Sequence, residues 1–440
     1  MKNIFVIKGN KKHIIGRLLS VLFLMVLVCE NWCGWDIRYS FAAFVVITYI
    51  SLMPLTILNP KNMVFFFYFA WYVLGPFGSN YKRYFVTYKD YSNEAFLMLF
   101  STYIAIMITL DILIGKESVD YDRKDYSLIG IEVPITVRLI LLILLILTLS
   151  IFISRTGGLK NWFGDNLSAG HFSRRGSGLY SLIYQYIYYF LIFVEGQQKI
   201  DSPFKLLRRF FYLTTLPLMF VFIGSKGQML LCILLLFAPI LLNEKLITWK
   251  TVVLVVTGIA IYLINMYIRV GNWHDSLGHT LNYLDTLEKF MMVLRDYKPG
   301  FMTTFYMPFT WPFVKLGLLP DTVYYDFNIW LTDMYNHNKW AILQATDQWN
   351  IETDMYLNFG FVIGIPFVIL LFSVIAKIYV KAKNVGGCWI YIYMLEYMYI
   401  LSHLRGGIIL FWDWFLIPLF VWIIWRYAKD TKMRISLKDQ

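Results

Sequence analysis

TVVLVVTGIAIYLINMYI (residues 251–268) and YLNFGFVIGIPFVILLFSVIAKIY (residues 356–379) frame the stretch Arg269–Met355. Each framing run has the ~20-residue length of a bilayer span. Nothing between them is apolar enough, for long enough, to cross a membrane. The stretch carries Arg269, His274, His279, Arg295, Lys298, Lys315, Asp333, His337, Lys339, Glu352 and Asp354, with Trp273, Trp311, Trp330, Trp340 and Trp349. Connections beyond about 12–15 residues are usually functional or disordered, and this one is too aromatic to read as disordered. Charges, rings and amides beside a membrane suit a polar, bulky substrate. The plainer alternative is a cap that only covers the bundle.

Outward from this loop the same pattern repeats. The chain has 440 residues, 58% hydrophobic and 15% charged, against about 25% charged in soluble domains. This composition predicts an all-α polytopic membrane protein, a single integral membrane domain over residues 1–440. Apolar runs fall at 17–34, 38–57, 62–77, 94–114, 138–154, 179–195, 210–224, 228–243, 251–268, 356–379, 388–403 and 408–425, giving about twelve spans. The basic N-terminus runs into Leu18–Val28 without a small-residue cleavage site, so it reads as a first span rather than a removed signal. Phe210–Asn243 is too long for one span. As one helix it would bury Lys226 near the bilayer centre at about 2.5–3.5 kcal/mol. A hairpin turning at Gly224-Ser225-Lys226-Gly227 avoids that cost.

The net charge of +12 follows from loop retention, not from nucleic acid. The loops on the side of both termini hold the larger share of the 40 Lys and Arg residues. The positive-inside rule therefore puts both termini in the cytoplasm and the 269–355 loop outside. Cys29, Cys33, Cys232 and Cys388 form no metal pattern, no Walker motif is present, and neither a metal nor a cofactor is expected. Asp120-Tyr121-Asp122 reads as part of a solvated mixed-charge loop.

A second outer loop, residues 155–178, runs Arg155-Thr156-Gly157-Gly158, then Trp162, His171 and Arg174-Arg175-Gly176-Ser177-Gly178. Adjacent arginines against the charge rule suit bidentate contacts to phosphate oxygens, and glycine lets backbone come close. Anionic lipid headgroups are the alternative partner. Arg269 leaves a span directly, and Arg405 sits in His403-Leu404-Arg405-Gly406-Gly407. With Lys226 they form a positive collar that suits a lipid diphosphate, or else snorkel singly to headgroups.

Taken in order, these pieces resemble the bacterial O-antigen (Wzy-type) oligosaccharide repeat-unit polymerases. Gly157-Gly158 precedes a loop with Arg174-Arg175. Gly224-Ser225-Lys226-Gly227 is similar to that family's Gly-Ser/Thr-Arg-Gly turn, with Lys for Arg. Pro308-Phe309-Thr310-Trp311-Pro312 with Lys315 is similar to a Pro–Trp-Pro–basic segment. Asp354-Met355-Tyr356-Leu357-Asn358-Phe359-Gly360, with Gly364, resembles the exit from the large loop, and Arg405-Gly406-Gly407 the late Arg-Gly turn. One departure separates the chain from the related O-antigen ligases. They carry a His–Asn-type pair eleven residues before the glycine matching Gly360, where this chain reads Trp349-Asn350.

The resemblance implies a GT-C-like, metal-independent glycosyltransferase of the bacterial plasma (inner) membrane. Its substrate would be undecaprenyl-diphosphate-linked glycan, its product O-antigen or capsule-type polysaccharide, and a chain-length regulator its protein partner. Charge growing on the leaving diphosphate would be met by Arg174, Arg175, Arg269 and Arg405, with Lys315 and Lys226 also binding substrate. Asp354 is the candidate general base, with Glu352, His337 and His274 behind it; a helix cap is Asp354's structural alternative. A lipid-linked oligosaccharide flippase, with charge along a cavity inside its spans, and an O-antigen ligase are the competing functions.

Overall fold

The computed structural model describes residues 11–33, 38–75, 89–115, 133–163, 177–197, 203–223, 226–246, 248, 284, 286–315, 318–320, 322–343, 346–408 and 422. Each apolar run that lies among them is helical, and no strand occurs among them. Among the described residues, four helices are long and apolar enough to cross a bilayer: His13–Glu30, Asp90–Ile114, Ile135–Arg155 and Ile351–Asn384. The chain is thus an all-α protein with membrane-spanning helices. The runs 251–268 and 408–425 lie outside the described residues, apart from Ile408 and Trp422.

The helices gather into two compact units. The first comprises Met1–Val119, Asn243–Val380 and Tyr399–Leu416. Its helices Lys11–Trp32, Arg38–Ser51, Pro60–Tyr68 and Lys89–Ile114 pack through rings. Phe41 and Phe44 each lie 4.6 Å from Phe100, and Tyr68 lies 4.8 Å from Tyr103, between centroids. Pro60 opens its helix at the position where a missing N–H costs nothing, and Asn59 caps it by accepting from Lys61 N–H at 2.9 Å. That helix continues as a π-helical turn, Phe69–Leu74. Asp111, fully buried, accepts from Lys61 Nζ at 2.9 Å and Arg17 Nε at 2.7 Å, with His13 Nδ1 at 2.8 Å. A carboxylate inside a span needs such partners.

The second unit comprises Asp120–Leu242, Lys381–Met398 and Ile417–Gln440. Pro203–Ile223 and Lys226–Leu241 are helical on either side of the expected turn, of which Gly224 and Ser225 lie outside the described residues. Gly196 ends the helix Gly178–Gly196 where a Cβ would stand 2.4 Å from the Leu236 carbonyl oxygen, so only glycine fits that crossing. Trp162 is buried, its Nε1 donating to Thr156 Oγ1 at 2.7 Å.

Within the first unit the described residues of the 269–355 stretch form short helices: Leu287–Asp296, Met307–Lys315, Phe327–Tyr335 and His337–Leu343. Leu287, Phe290, Met291 and Leu294 are buried at the spacing of one helix face, leaving Glu288, Lys289, Arg295 and Asp296 on the other. The following helix, Ile351–Asn384, is two helices joined at Gly360, whose φ of 66° and ψ of 174° break it.

Candidate functional site

The break at Gly360 organises the site. Ending a helix at Phe359 leaves its last carbonyls without intrahelical donors. A segment much earlier in the loop supplies them: Gly300 N–H donates to Leu357 O at 3.1 Å and Met302 N–H to Asn358 O at 2.9 Å. Asn358 completes the join, its Oδ1 accepting from the N–H groups of Thr304 at 2.6 Å and Phe305 at 2.9 Å. The front of the loop is thereby bound to its exit.

Asp354 stands one turn before Asn358 and shares its face of the helix. Its Oδ1 accepts from Thr304 Oγ1 at 2.7 Å and Asn358 Nδ2 at 2.6 Å. Its Oδ2 accepts from Ile408 N–H at 2.9 Å. The Arg405-Gly406-Gly407 turn is therefore seated on Asp354. Gly407, at φ 111°, has room for no side chain: a Cβ would lie 2.7 Å from Phe327 Cε1 and 3.0 Å from Asp354 Oδ2. The Phe327–Tyr335 helix closes the same junction. Asp326 caps it, accepting from Asn328 N–H at 2.7 Å, while Asn328 Nδ2 donates to Gly406 O at 3.3 Å. Burial raises the Asp326 carboxyl above its ordinary value.

The helix cap falls elsewhere than expected. Asn350, not Asp354, precedes the first turn of Ile351–Asn384, and its Oδ1 accepts from Thr353 N–H at 3.3 Å. Asp354 lies inside the helix and faces the protein.

Arg405 carries its guanidinium 5.7 Å from the Trp71 ring centroid, on the π-helical turn Phe69–Leu74. Lys315 closes the Met307–Lys315 helix and Lys226 opens the Lys226–Leu241 helix. Arg174, Arg175, Arg269 and His274 lie outside the described residues. His337 is largely exposed and pairs with Asp333 at 2.8 Å. On the rest of the loop, Asp347 joins Lys339 at 2.6 Å and Lys289 at 3.1 Å. Burial alone would raise its carboxyl, but Lys289 and Lys339 outweigh burial and hold it below the usual carboxylate range. Tyr324 donates a short hydrogen bond to Asp333, and chiefly for that reason its hydroxyl is pushed up to about 12. No group of three or more His, Cys, Asp or Glu suited to a metal occurs among the described residues.

The structure thus brings Asp354 and the Arg405 turn to one junction. Sequence reasoning missed Thr304, Asn328 and Asn358. Asn358 carried a usable signal, because it follows Asp354 by four residues on one helix face. Thr304 and Asn328 are fixed by contacts far along the chain. Comparison with family models, with curated proteins and with solved structures returns no match.

Proposed function

We propose that this chain polymerises oligosaccharide repeat units carried on undecaprenyl diphosphate, a glycosyl transfer at the outer face of the bacterial plasma membrane. The observation that supports this reading is the junction at Asp354. Two motifs of the resemblance, Asp354–Gly360 and Arg405-Gly406-Gly407, lie far apart in sequence and meet through the 2.9 Å bond from Ile408 N–H to Asp354 Oδ2. A built junction of this kind is how a fold fixes groups that must act together.

In this reaction the terminal hydroxyl of one repeat unit attacks the anomeric carbon of the growing chain. The bond from that carbon to the diphosphate oxygen breaks, and its electron pair leaves with the lipid diphosphate. Fixed cations stabilise the charge that develops there. Arg405 is assigned that role on its position, with Arg174, Arg175, Arg269, Lys315 and Lys226 joining it on sequence grounds alone. Asp354 acts as a positioning residue: its oxygens are occupied by three donors, and it fixes the turn that carries Arg405.

The flippase reading gains one observation. The side chain of Glu396, 5% exposed on the Cys388–Gly406 helix, has no hydrogen bond or ion pair among the described residues. Buried carboxylates in spans often mark transport paths. Surface glycan from cells lacking the chain separates the two. Loss of a polymerase leaves single repeat units on the surface acceptor, with long chains absent. Loss of a flippase removes single units as well, which would overturn the proposal.

A further inference from the structure

Two residues before Asp354, the same helix turns a second carboxylate to a different neighbourhood. Glu352 is 1% exposed. Its Oε1 accepts from Tyr68 Oη at 2.5 Å. Its Oε2 is buried and has no hydrogen-bond partner among the described residues. The Tyr72 hydroxyl lies beside Glu352, Asn350 and Thr286. The Tyr72 hydroxyl, Thr286 Oγ1 and Asn350 Nδ2 are likewise buried and unpartnered. Asn350 has committed its oxygen to the helix start, so only its donor end is open.

Four unpartnered polar atoms in one buried place are costly. Each recovers only part of the about 1–3 kcal/mol of solvation it gives up, through loose contacts with the others, and native proteins keep few such groups. Here they form a matched set: one acceptor with a negative charge, one amide donor, and two hydroxyls able to do either. Tyr68 and Tyr72, 5.4 Å apart between ring centroids, supply apolar wall. Tyr72 stands on the π-helical turn Phe69–Leu74, a feature frequent at functional sites. That combination matches the donors and acceptors of one hydroxyl-bearing edge of a sugar ring.

We propose that Glu352 is the general base of the transfer, and that Tyr72, Thr286 and Asn350 position the acceptor sugar's hydroxyl against its Oε2. This rests on the polymerase reading. The acceptor hydroxyl gives its proton to Glu352 Oε2 as its oxygen bonds to the anomeric carbon. The carbon–oxygen bond to diphosphate breaks, and the diphosphate departs with the electron pair. Glu352 then releases the proton to solvent. Tyr68 is a positioning residue that fixes the carboxylate through Oε1. The enclosure also keeps water from competing with the sugar for the donor. Asp354, filled by three donors, has no comparable opening.

The test uses the full-length protein in detergent with a synthetic lipid-linked repeat unit as both donor and acceptor. Glu352→Gln keeps the side chain's size and is expected to lower kcat by about 10²–10⁴-fold, with KM little changed and the melting temperature within a few degrees. Tyr68→Phe is expected to stay active but to shift the acidic limb of the pH–rate profile, which a merely structural contact would not move. If Glu352→Gln fails to fold, Tyr68→Phe decides: an unchanged pH profile overturns the assignment. A folded Glu352→Gln enzyme with wild-type kcat overturns it while leaving the polymerase reading intact. Wild-type protein that forms no product overturns both.

Discussion

The backbone N–H of Ile408 donates to Asp354 Oδ2 at 2.9 Å, across more than fifty residues of chain. Asp354 is thereby the link between the end of the long loop and the turn bearing Arg405. Replacing it with asparagine sets an amide donor against either Ile408 N–H or the Thr304 and Asn358 donors. One buried donor then loses its acceptor, at about 1–3 kcal/mol. Thermal unfolding in detergent is expected to show Asp354→Asn several degrees below wild type, with activity lowered through a poorly placed Arg405. Wild-type stability would remove the junction from the account.

Gly360 sets the second prediction. Its φ of 66° with ψ of 174° lies in a region that is essentially glycine's alone. A Cβ there would meet Pro299 Cβ at 3.6 Å and Cγ at 4.0 Å, ordinary contacts. The cost of Gly360→Ala is therefore backbone strain, about 1–3 kcal/mol. The Leu357 and Asn358 carbonyls that receive Gly300 and Met302 depend on this break, so limited proteolysis should cut the variant faster near residues 299–303. Equal stability and equal cutting would contradict the capping arrangement.

Much of this was legible in the sequence, and the losses have physical causes. Apolar runs located the helices because lipid contact demands apolar length and little else. The helix Ile351–Asn384 was expected to begin at 356, because Glu352, Thr353 and Asp354 interrupt its apolar pattern. Their partners, Tyr68, Asn350 and Thr304, are protein groups distant in sequence or hidden in the cap. The π-helical turn at Phe69–Leu74 left no mark, since its sequence FAWYVL is as apolar as any span. Asp354, the base candidate of the sequence, lies buried among three donors. Whether a carboxylate is filled with donors or left open is decided by tertiary contacts: Asp354 accepts from Thr304, Asn358 and Ile408, whereas Glu352 accepts from Tyr68 through Oε1.

Asp347 provides a pH signature outside the membrane helices. Lys289 and Lys339 hold its folded-state carboxyl below the usual carboxylate range. A lowered folded value contributes stability that is fully present above the unfolded value of about 3.9 and is lost as pH falls through the folded one. Asp347→Asn should therefore melt below wild type at pH 7, and the gap should close below about pH 4. A constant gap across that range would mean the clamp is not electrostatic.

The arginines test the proposed chemistry. Removing one preorganised donor to a developing charge costs about 10²–10³ in rate. Arg405→Ala is expected to lose that much, and Arg405→Lys to recover only part, because the planar fork that lies 5.7 Å from the Trp71 ring centroid is lost. Arg174→Ala, Arg175→Ala and Arg269→Ala extend the comparison. If all four alanine variants retain wild-type polymerisation rates at normal expression, these residues only anchor lipid.

The central claim is that the chain itself joins lipid-linked repeat units. Purified protein, incubated with a single lipid-linked repeat unit and no other enzyme, should convert it into a ladder of products. Successive bands would differ by one repeat unit, and free lipid diphosphate would appear with each addition. A repeat unit recovered unchanged, beside protein that is folded by its melting curve, would contradict the account.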